Sequence, residues 1–119
     1  MILADTSVWI EHLRRGEPRL IAALDTGEVL IHPLIIGELA MGNLGQRGTM
    51  LATLAALPQA IVAQQEEVLA FIEGESLFGR GIGFVDASLL AATRLTPGAR
   101  LWTLDRRLRE TAESLLIAA

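Results

Sequence analysis

No cysteine occurs in this 119-residue chain, so it can form neither a disulfide nor a thiolate metal site. Lysine is absent too, and all ten basic residues are arginine. Histidine is limited to His12 and His32, so a zinc centre would need carboxylates to complete it. No charged N-terminal region precedes a signal-like apolar run, and a cytoplasmic location is expected. The longest uncharged stretch, residues 48–65, just reaches the length of a membrane span. Thr49, Thr53, Pro58 and Gln59 interrupt it, so it reads as a helix followed by a short strand, with no membrane partner. Repeats, linkers and low-complexity segments are missing, and the length fits one compact domain over residues 1–119.

Aspartate is nearly as scarce, with four in the chain, and three of these stand against apolar runs. Asp5 ends Met1-Ile2-Leu3-Ala4, Asp86 lies within Gly83–Ala92, and Asp105 ends Leu101-Trp102-Thr103-Leu104. Glu38 joins them inside Leu34–Met41. Burying an unpaired carboxylate costs several kcal/mol or more. Four such groups, far apart in sequence, point to one shared site with a cation in it. Formal net charge is −4, which argues against a generic phosphate-binding surface. Setting those four acids aside leaves ten acids against ten arginines, and bound divalent cations would turn the local potential positive.

Hydrophobic periodicity predicts short apolar strands alternating with helices. Strands are expected over Ile2–Ala4, Glu28–Ile31, Ala60–Ala63, Arg100–Leu104 and, as an edge, Leu115–Ala118. Helices are expected from Thr6 or Ser7 to Arg15, from Pro18 to Gly27, and from Pro33 until Gly42 and Gly45. Four more follow over Arg47–Leu57, Gln64–Leu77, Phe84–Leu95 and Asp105–Ser114. This alternation implies an α/β three-layer sandwich around a parallel, short-stranded sheet.

Asp5 and Asp105 then fall at the C-terminal ends of strands, the edge where open parallel sheets bind ligands. Glu38 shares a helical face with Leu34, Ile35 and Met41, and Asp86 shares one with Leu89 and Leu90, so both are expected to point inward toward the sheet. Oxygen-only ligands select a hard cation, Mg²⁺ or Mn²⁺, which suits phosphodiester hydrolysis. Taken singly, each aspartate has a structural alternative. Asp5 and Asp105 could be helix N-caps, and Asp86 could sit in a first turn.

In that order, Asp5-Thr6-Ser7 after a strand, Gly37-Glu38-Leu39 on a helix, Val85-Asp86-Ala87 opening an apolar helix and Thr103-Leu104-Asp105 after a strand resemble the PIN domain. More narrowly they resemble the VapC-type ribonuclease toxins of prokaryotic toxin–antitoxin modules. The resemblance covers essentially the whole chain. It implies a Mg²⁺- or Mn²⁺-dependent endoribonuclease, usually a homodimer, held inactive by a cognate antitoxin. It carries Asp5, Glu38, Asp86 and Asp105 over as catalytic metal ligands, with Thr6, Ser7 and Thr103 at the hydroxyl positions that orient them. Two departures stand out. His32-Pro33-Leu34-Ile35-Ile36 replaces a stretch where the family often has Ser or Thr, and Arg106 and Arg107 follow the last Asp where some members add an acid.

Gly79-Arg80-Gly81-Ile82-Gly83 before a helix matches neither the Walker nor the dinucleotide pattern. A flexible loop is the plain reading, and Arg80 contacting RNA the functional one. Arg106 and Arg107, beside Asp105, read either as a solvated face or as phosphate contacts. Trp9 and Trp102 read as core, His12 as facing solvent, and His32 as near the carboxylate edge. A phosphatase of the haloacid dehalogenase type would need Asp-x-Asp and a lysine, and position 7 is Ser. A phospho-acceptor receiver would need a lysine and adjacent N-terminal acids. A PIN-like scaffold without nuclease activity is the remaining alternative. Mean hydropathy of +0.43 is high for such a small domain, so some apolar surface, on 47–57 or 64–77, is expected to be covered by another chain.

Overall fold

The computed structural model describes all 119 residues. Ten elements run in the order β1 (Ile2–Ala4), α1 (Thr6–Arg15), α2 (Pro18–Asp25), β2 (Val29–Leu30), α3 (Pro33–Ala40), α4 (Arg47–Ala55), α5 (Gln65–Gly74), α6 (Phe84–Leu95), β3 (Arg100–Trp102) and α7 (Arg106–Ser114). The three strands form a parallel sheet in the order β2-β1-β3. Ile2 is in register with Val29 on one side and Arg100 on the other, and Ala4 with Trp102.

The connection from β1 to β2 moves one way across the sheet, and that from β2 to β3 moves the other. Parallel crossovers are right-handed, so these two sets of helices fall on opposite faces and give three layers. Helices α1, α2, α6 and α7 pack on the strands, while α3 leans on α1, α4 on α3 and α5 on α6. The sheet closes over a single cluster that includes Leu3, Leu20, Ile31, Ile35, Leu54, Leu89, Leu90, Leu101 and Leu108. Each side chain of this size contributes about 1.5–3 kcal/mol on full burial.

Two expected strands shrink to single bridges. Ile31 pairs in parallel with Gln59 in place of a strand over 60–63, and Leu101 with Ala118 in place of one over 115–118. Backbone bonds on both sides of each bridge are good, 2.8 Å from Ile31 N–H to the Pro58 carbonyl and 2.8 Å from Leu101 N–H to the Ile117 carbonyl. Pro58 has no N–H to continue the first ladder, and Leu116 turns the chain beside the second with φ at 63°. The expected helix over 64–77 stops at Gly74, and the strand expected over 100–104 stops at Trp102. Trp9 and Trp102 are core residues as expected, with the Arg19 guanidinium 4.5 Å from the Trp102 ring centre. His12 differs from expectation: it is half-buried, its Nδ1 accepts the Glu17 N–H at 3.1 Å, and its ring meets Trp9 edge-on.

No helix is long and apolar enough to cross a membrane. Polar residues inside the buried helix α6 are satisfied locally: the Ser88 hydroxyl donates to the Phe84 carbonyl and the Thr93 hydroxyl to the Leu89 carbonyl.

Candidate active site

Strands β1 and β3 are neighbours whose following chains leave in opposite directions, which makes the gap beyond their C-terminal ends the switch point of the sheet. Asp5 and the segment Thr103-Leu104-Asp105 lie at that gap. Asp5 is buried, at 6% exposure, and its backbone N–H donates to the Trp102 carbonyl at 2.9 Å. Its carboxylate caps α1: Oδ1 accepts the Val8 N–H at 3.3 Å. Ser7 Oγ donates to the same oxygen at 2.5 Å, and Thr103 Oγ1 donates to Oδ2 at 2.5 Å. The buried Asp5 carboxylate thus has three hydrogen-bond donors and no basic partner.

The same hydroxyls bind the next segment. Ser7 Oγ accepts the Leu104 N–H at 3.0 Å and Thr103 Oγ1 accepts the Asp105 N–H at 3.0 Å. Asp105 in turn caps α7, accepting the Leu108 N–H at 3.0 Å. On the other side Thr6 Oγ1 donates to Glu38 Oε1 at 2.5 Å, so α3 is tied to the start of α1. Thr6, Ser7 and Thr103 thus link Asp5, Glu38 and Asp105 into one web. Asp86, three residues into α6, accepts the Gly83 N–H at 3.1 Å. Partial burial raises its pKa above the usual carboxylate value; the Gly83 bond opposes this, and the charges of Asp105 and then Asp5 add to it.

Each aspartate therefore fills the local role that the sequence alone allowed, as a cap or first-turn acid, and also stands with the others at one edge. Glu38 departs from the expected inward direction. It is exposed, as are Leu34 and Met41 on its face, the latter at 88%. The reason is that α3 packs through Ile35 and Leu39, a stripe to one side of Glu38, so that of its expected face-mates only Ile35 is buried and the Glu38 side is left over open space. That space is a groove of about 610 Å³ between α1 and the α3–α4 turn, lined by Ile10, Leu13, Arg14, Leu39, Leu44 and Met50 among others. Of the four acids only Glu38 reaches it.

Countercharge is missing at this edge. The ion pairs in the molecule join Arg15 to Glu11, Arg94 to Glu75, Arg106 to Glu110 and Arg109 to Glu113, and none uses Asp5, Glu38, Asp86 or Asp105. The donor set is all oxygen, which suits a hard divalent cation. No three acidic or histidine side chains are gathered closely enough to hold a metal ion between them. The arrangement is an open edge of carboxylates rather than an enclosed site.

Arg80 bonds the Ser76 carbonyl and Ser114 Oγ, each at 3.2 Å, and so ties its loop to α7. Arg106 is paired with Glu110 at 2.9 Å. Arg107 makes neither an ion pair nor a hydrogen bond, and lies against Gly81. His32, buried after β2, caps α3 by accepting the Leu34 N–H at Nδ1, and burial lowers its pKa. Arg14 stands in the last turn of α1, where a basic residue complements the helix dipole. Its place beside Glu38 in the groove follows from its sharing a face with Ile10, four residues earlier.

The sequence matches the family model described as PIN domain over residues 2–114. It is 51% identical over 109 residues to proteins named Ribonuclease VapC32 from two strains of Mycobacterium tuberculosis, covering 92% of this chain and 88% of each relative. Among solved structures, the crystal structure of PAE2754 from Pyrobaculum aerophilum aligns with a TM-score of 0.59 over 98% of this chain and 86% of that one. At 21% identity, that likeness is one of fold. A family match that spans the parallel sheet and all four acids, with relatives of this identity, shows that the chain belongs to the PIN-domain family and is of the VapC type.

Proposed function

We propose that this chain is a Mg²⁺- or Mn²⁺-dependent endoribonuclease and the toxin of a toxin–antitoxin module. The observation that carries the reading is the carboxylate edge itself. Four acids, two on α3 and α6 and two capping α1 and α7 after β1 and β3, stand without a basic partner, and three of them are joined through Thr6, Ser7 and Thr103. The ribonuclease name of relatives at 51% identity supports the same direction.

Asp5, Glu38, Asp86 and Asp105 would hold the cation. When bound, it would supply an activated water and stabilise the leaving oxygen of the phosphodiester. The chain's own residues hold the ligand set in place. Ser7 and Thr103 hold both oxygens of Asp5, Thr6 holds Glu38, and the Gly83 N–H holds Asp86. Attack by water without a covalent intermediate fits the absence of cysteine and of any Ser–His pair. Ser7 donates to Asp5, and both histidines use Nδ1 on backbone N–H groups.

The partners proposed are an RNA substrate, a second copy of the chain and a cognate antitoxin, in the cytoplasm. The groove beside Glu38 would seat an apolar antitoxin segment, and an antitoxin arginine would neutralise the adjacent acids. Exposed Ile61, Val62 and Leu69 before and on α5 supply a surface for the second copy.

Cleavage of RNA by the purified chain, with Mg²⁺ or Mn²⁺ and with EDTA, tests the core of this reading. Activity is expected only with the metal, and Asp5→Asn should abolish most of it while keeping the fold. Cleavage that survives EDTA or Asp5→Asn overturns the mechanism; a folded protein with no cleavage under any condition favours a PIN-like scaffold. Light scattering reads the homodimer. Co-purification with the product of the neighbouring reading frame, and its suppression of cleavage, reads the antitoxin.

A further inference from the structure

Helix α6 carries Asp86 toward the carboxylate edge, and its first residue, Phe84, stands 47% exposed on the other side of the same turn. Phe78, before the glycine-rich loop, is 62% exposed. Together they border a cleft of about 210 Å³ whose floor is Ile72, Leu77, Ile82 and Ala87. Two open aromatic rings over an apolar floor contribute nothing to the core of this small domain. The cleft and the candidate active site meet at the start of α6, where Gly83 both lines the cleft and donates its N–H to Asp86. The Cα atoms of Phe84 and Asp86 are at most about 7 Å apart.

Arg107 completes the arrangement. Its Nη1 lies 2.6 Å from where a Cβ on Gly81 would be, so the guanidinium rests directly on the loop between the two phenylalanines. Four arginines are paired with acids, and Arg47, Arg80 and Arg100 are spent on carbonyl or hydroxyl oxygens. Arg107 keeps all its donors free, next to an aromatic cleft and within two residues of Asp105.

We infer that the Phe78–Phe84 cleft binds an unstacked base of the RNA substrate, one that lies beside the scissile phosphate, while Arg107 holds a phosphate of the same stretch. This rests on the ribonuclease reading and deepens it by making Phe84 and Phe78 specificity-determining residues. Bases in duplex RNA present no free ring face, whereas single-stranded segments stack on aromatic side chains. The substrate class is therefore RNA that is single-stranded at the cut. Stacking is tolerant of base identity, so the cleft selects for an unpaired base more than for a particular one.

The test measures binding apart from cleavage, using fluorescein-labelled single-stranded oligoribonucleotides and a set in which one base at a time is replaced by an abasic ribose. Wild-type protein should lose about 5- to 140-fold in affinity at one abasic position, the range expected for one stacked base. Phe84→Leu and Phe78→Leu should bind the intact strand correspondingly more weakly and no longer distinguish the abasic one; Phe84→Trp should restore the distinction. Arg107→Ala should weaken all strands alike and flatten the salt dependence. If the leucine variants keep the full abasic discrimination, the cleft assignment is wrong while the nuclease reading is untouched. Failure of the wild type to bind single-stranded RNA overturns it too. Phenylalanine-dependent binding without cleavage in Mg²⁺ or Mn²⁺ keeps the cleft and removes the nuclease. A wild-type dimer that the leucine variants turn into a monomer, with RNA binding unchanged, makes the patch a protein interface and overturns the proposal.

Discussion

Replacing Thr103 by valine removes one oxygen and leaves the side chain's shape almost unchanged. That oxygen serves two segments at once: it donates to Asp5 Oδ2 at 2.5 Å and accepts the Asp105 N–H at 3.0 Å. Thr103 is 3% exposed and Asp5 6%, so water cannot take over the first bond without opening the edge. A hydrogen bond to a charged group is worth about 1.5–3 kcal/mol, and a donor left without its acceptor costs about 1 kcal/mol or more. The metal-free protein should therefore lose about 2–4 kcal/mol. At roughly 4 °C per kcal/mol for a chain of this size, the unfolding midpoint should fall by about 8–16 °C. Thr103→Ser keeps the oxygen and loses a buried methyl, worth about 1 kcal/mol. Thermal unfolding in EDTA should therefore rank wild type above serine and serine above valine. Cleavage by Thr103→Val at temperatures where it is folded should fall about 10- to 100-fold, the usual cost of losing a group that orients a metal ligand. Valine equal to wild type, or more stable than serine, would refute the claim that this hydroxyl holds the Asp5 carboxylate.

Asp86→Asn should stabilise the protein in EDTA, because the raised pKa of Asp86 marks a charge that the fold tolerates poorly at neutral pH. Its stability contribution is full in acid and is lost as pH rises through the folded pKa, so the gain of the Asn variant should vanish toward pH 3 in urea unfolding. His32 acts in the opposite sense. Its folded pKa lies below the usual 6.5, so stability is intact above that pH and declines as pH falls from 6.5 through the folded value, when protonated Nδ1 can no longer accept the Leu34 N–H. Hydrogen exchange at the start of α3 should accelerate over the same interval, and His32→Asn, another N-cap acceptor, should flatten that dependence. Gly81→Ala meets both a positive φ of 76° and the Arg107 side chain. It should cost about 1–2 kcal/mol for the backbone plus a clash that Arg107→Ala relieves, visible as a coupling of at least about 0.5 kcal/mol in a double-mutant cycle.

Much of the architecture could be read from local signals because these signals agree with one another. Pro18 and Pro33 open α2 and α3, Gly16 closes α1, and the apolar run 84–95 becomes α6 with the expected ends. The acids were legible for the same reason: an aspartate after a buried strand marks the carboxyl edge whether it caps a helix or binds a ligand. Glu38 differs from the expected inward direction because, of Leu34, Ile35 and Met41 that share its face, only Ile35 is buried, and α3 packs on α1 and α4 through Ile35 and Leu39 to one side. Helical phase gives a face, but which of two apolar faces is buried depends on neighbours far away in sequence. The outermost strands were overextended for a related reason. Apolar runs at 60–63 and 115–118 have strand composition, yet each reaches the sheet by a single residue pair. The hydroxyl web could not be read at all beyond its members' names, since Ser7 and Thr103 stand 96 positions apart.

Ninety-eight positions separate Asp5 from the Thr103 hydroxyl that holds it. Strand β1 waits on the ribosome for its second neighbour, β3, which is made near the end of the chain. At about 5–20 residues per second, roughly 5–20 s of synthesis pass between the two. Until then β1 has a partner on one side only, Asp5 lacks one of its three donors, and Asp105 does not exist. A chain that stops before β3, through a broken message or a stalled ribosome, carries Asp5 and Glu38 but no complete edge. For a protein proposed to cut RNA in the cell that makes it, this order of assembly keeps every unfinished copy harmless. It also leaves the groove beside Glu38, built from α1, α3 and α4, available to a partner before cutting can begin.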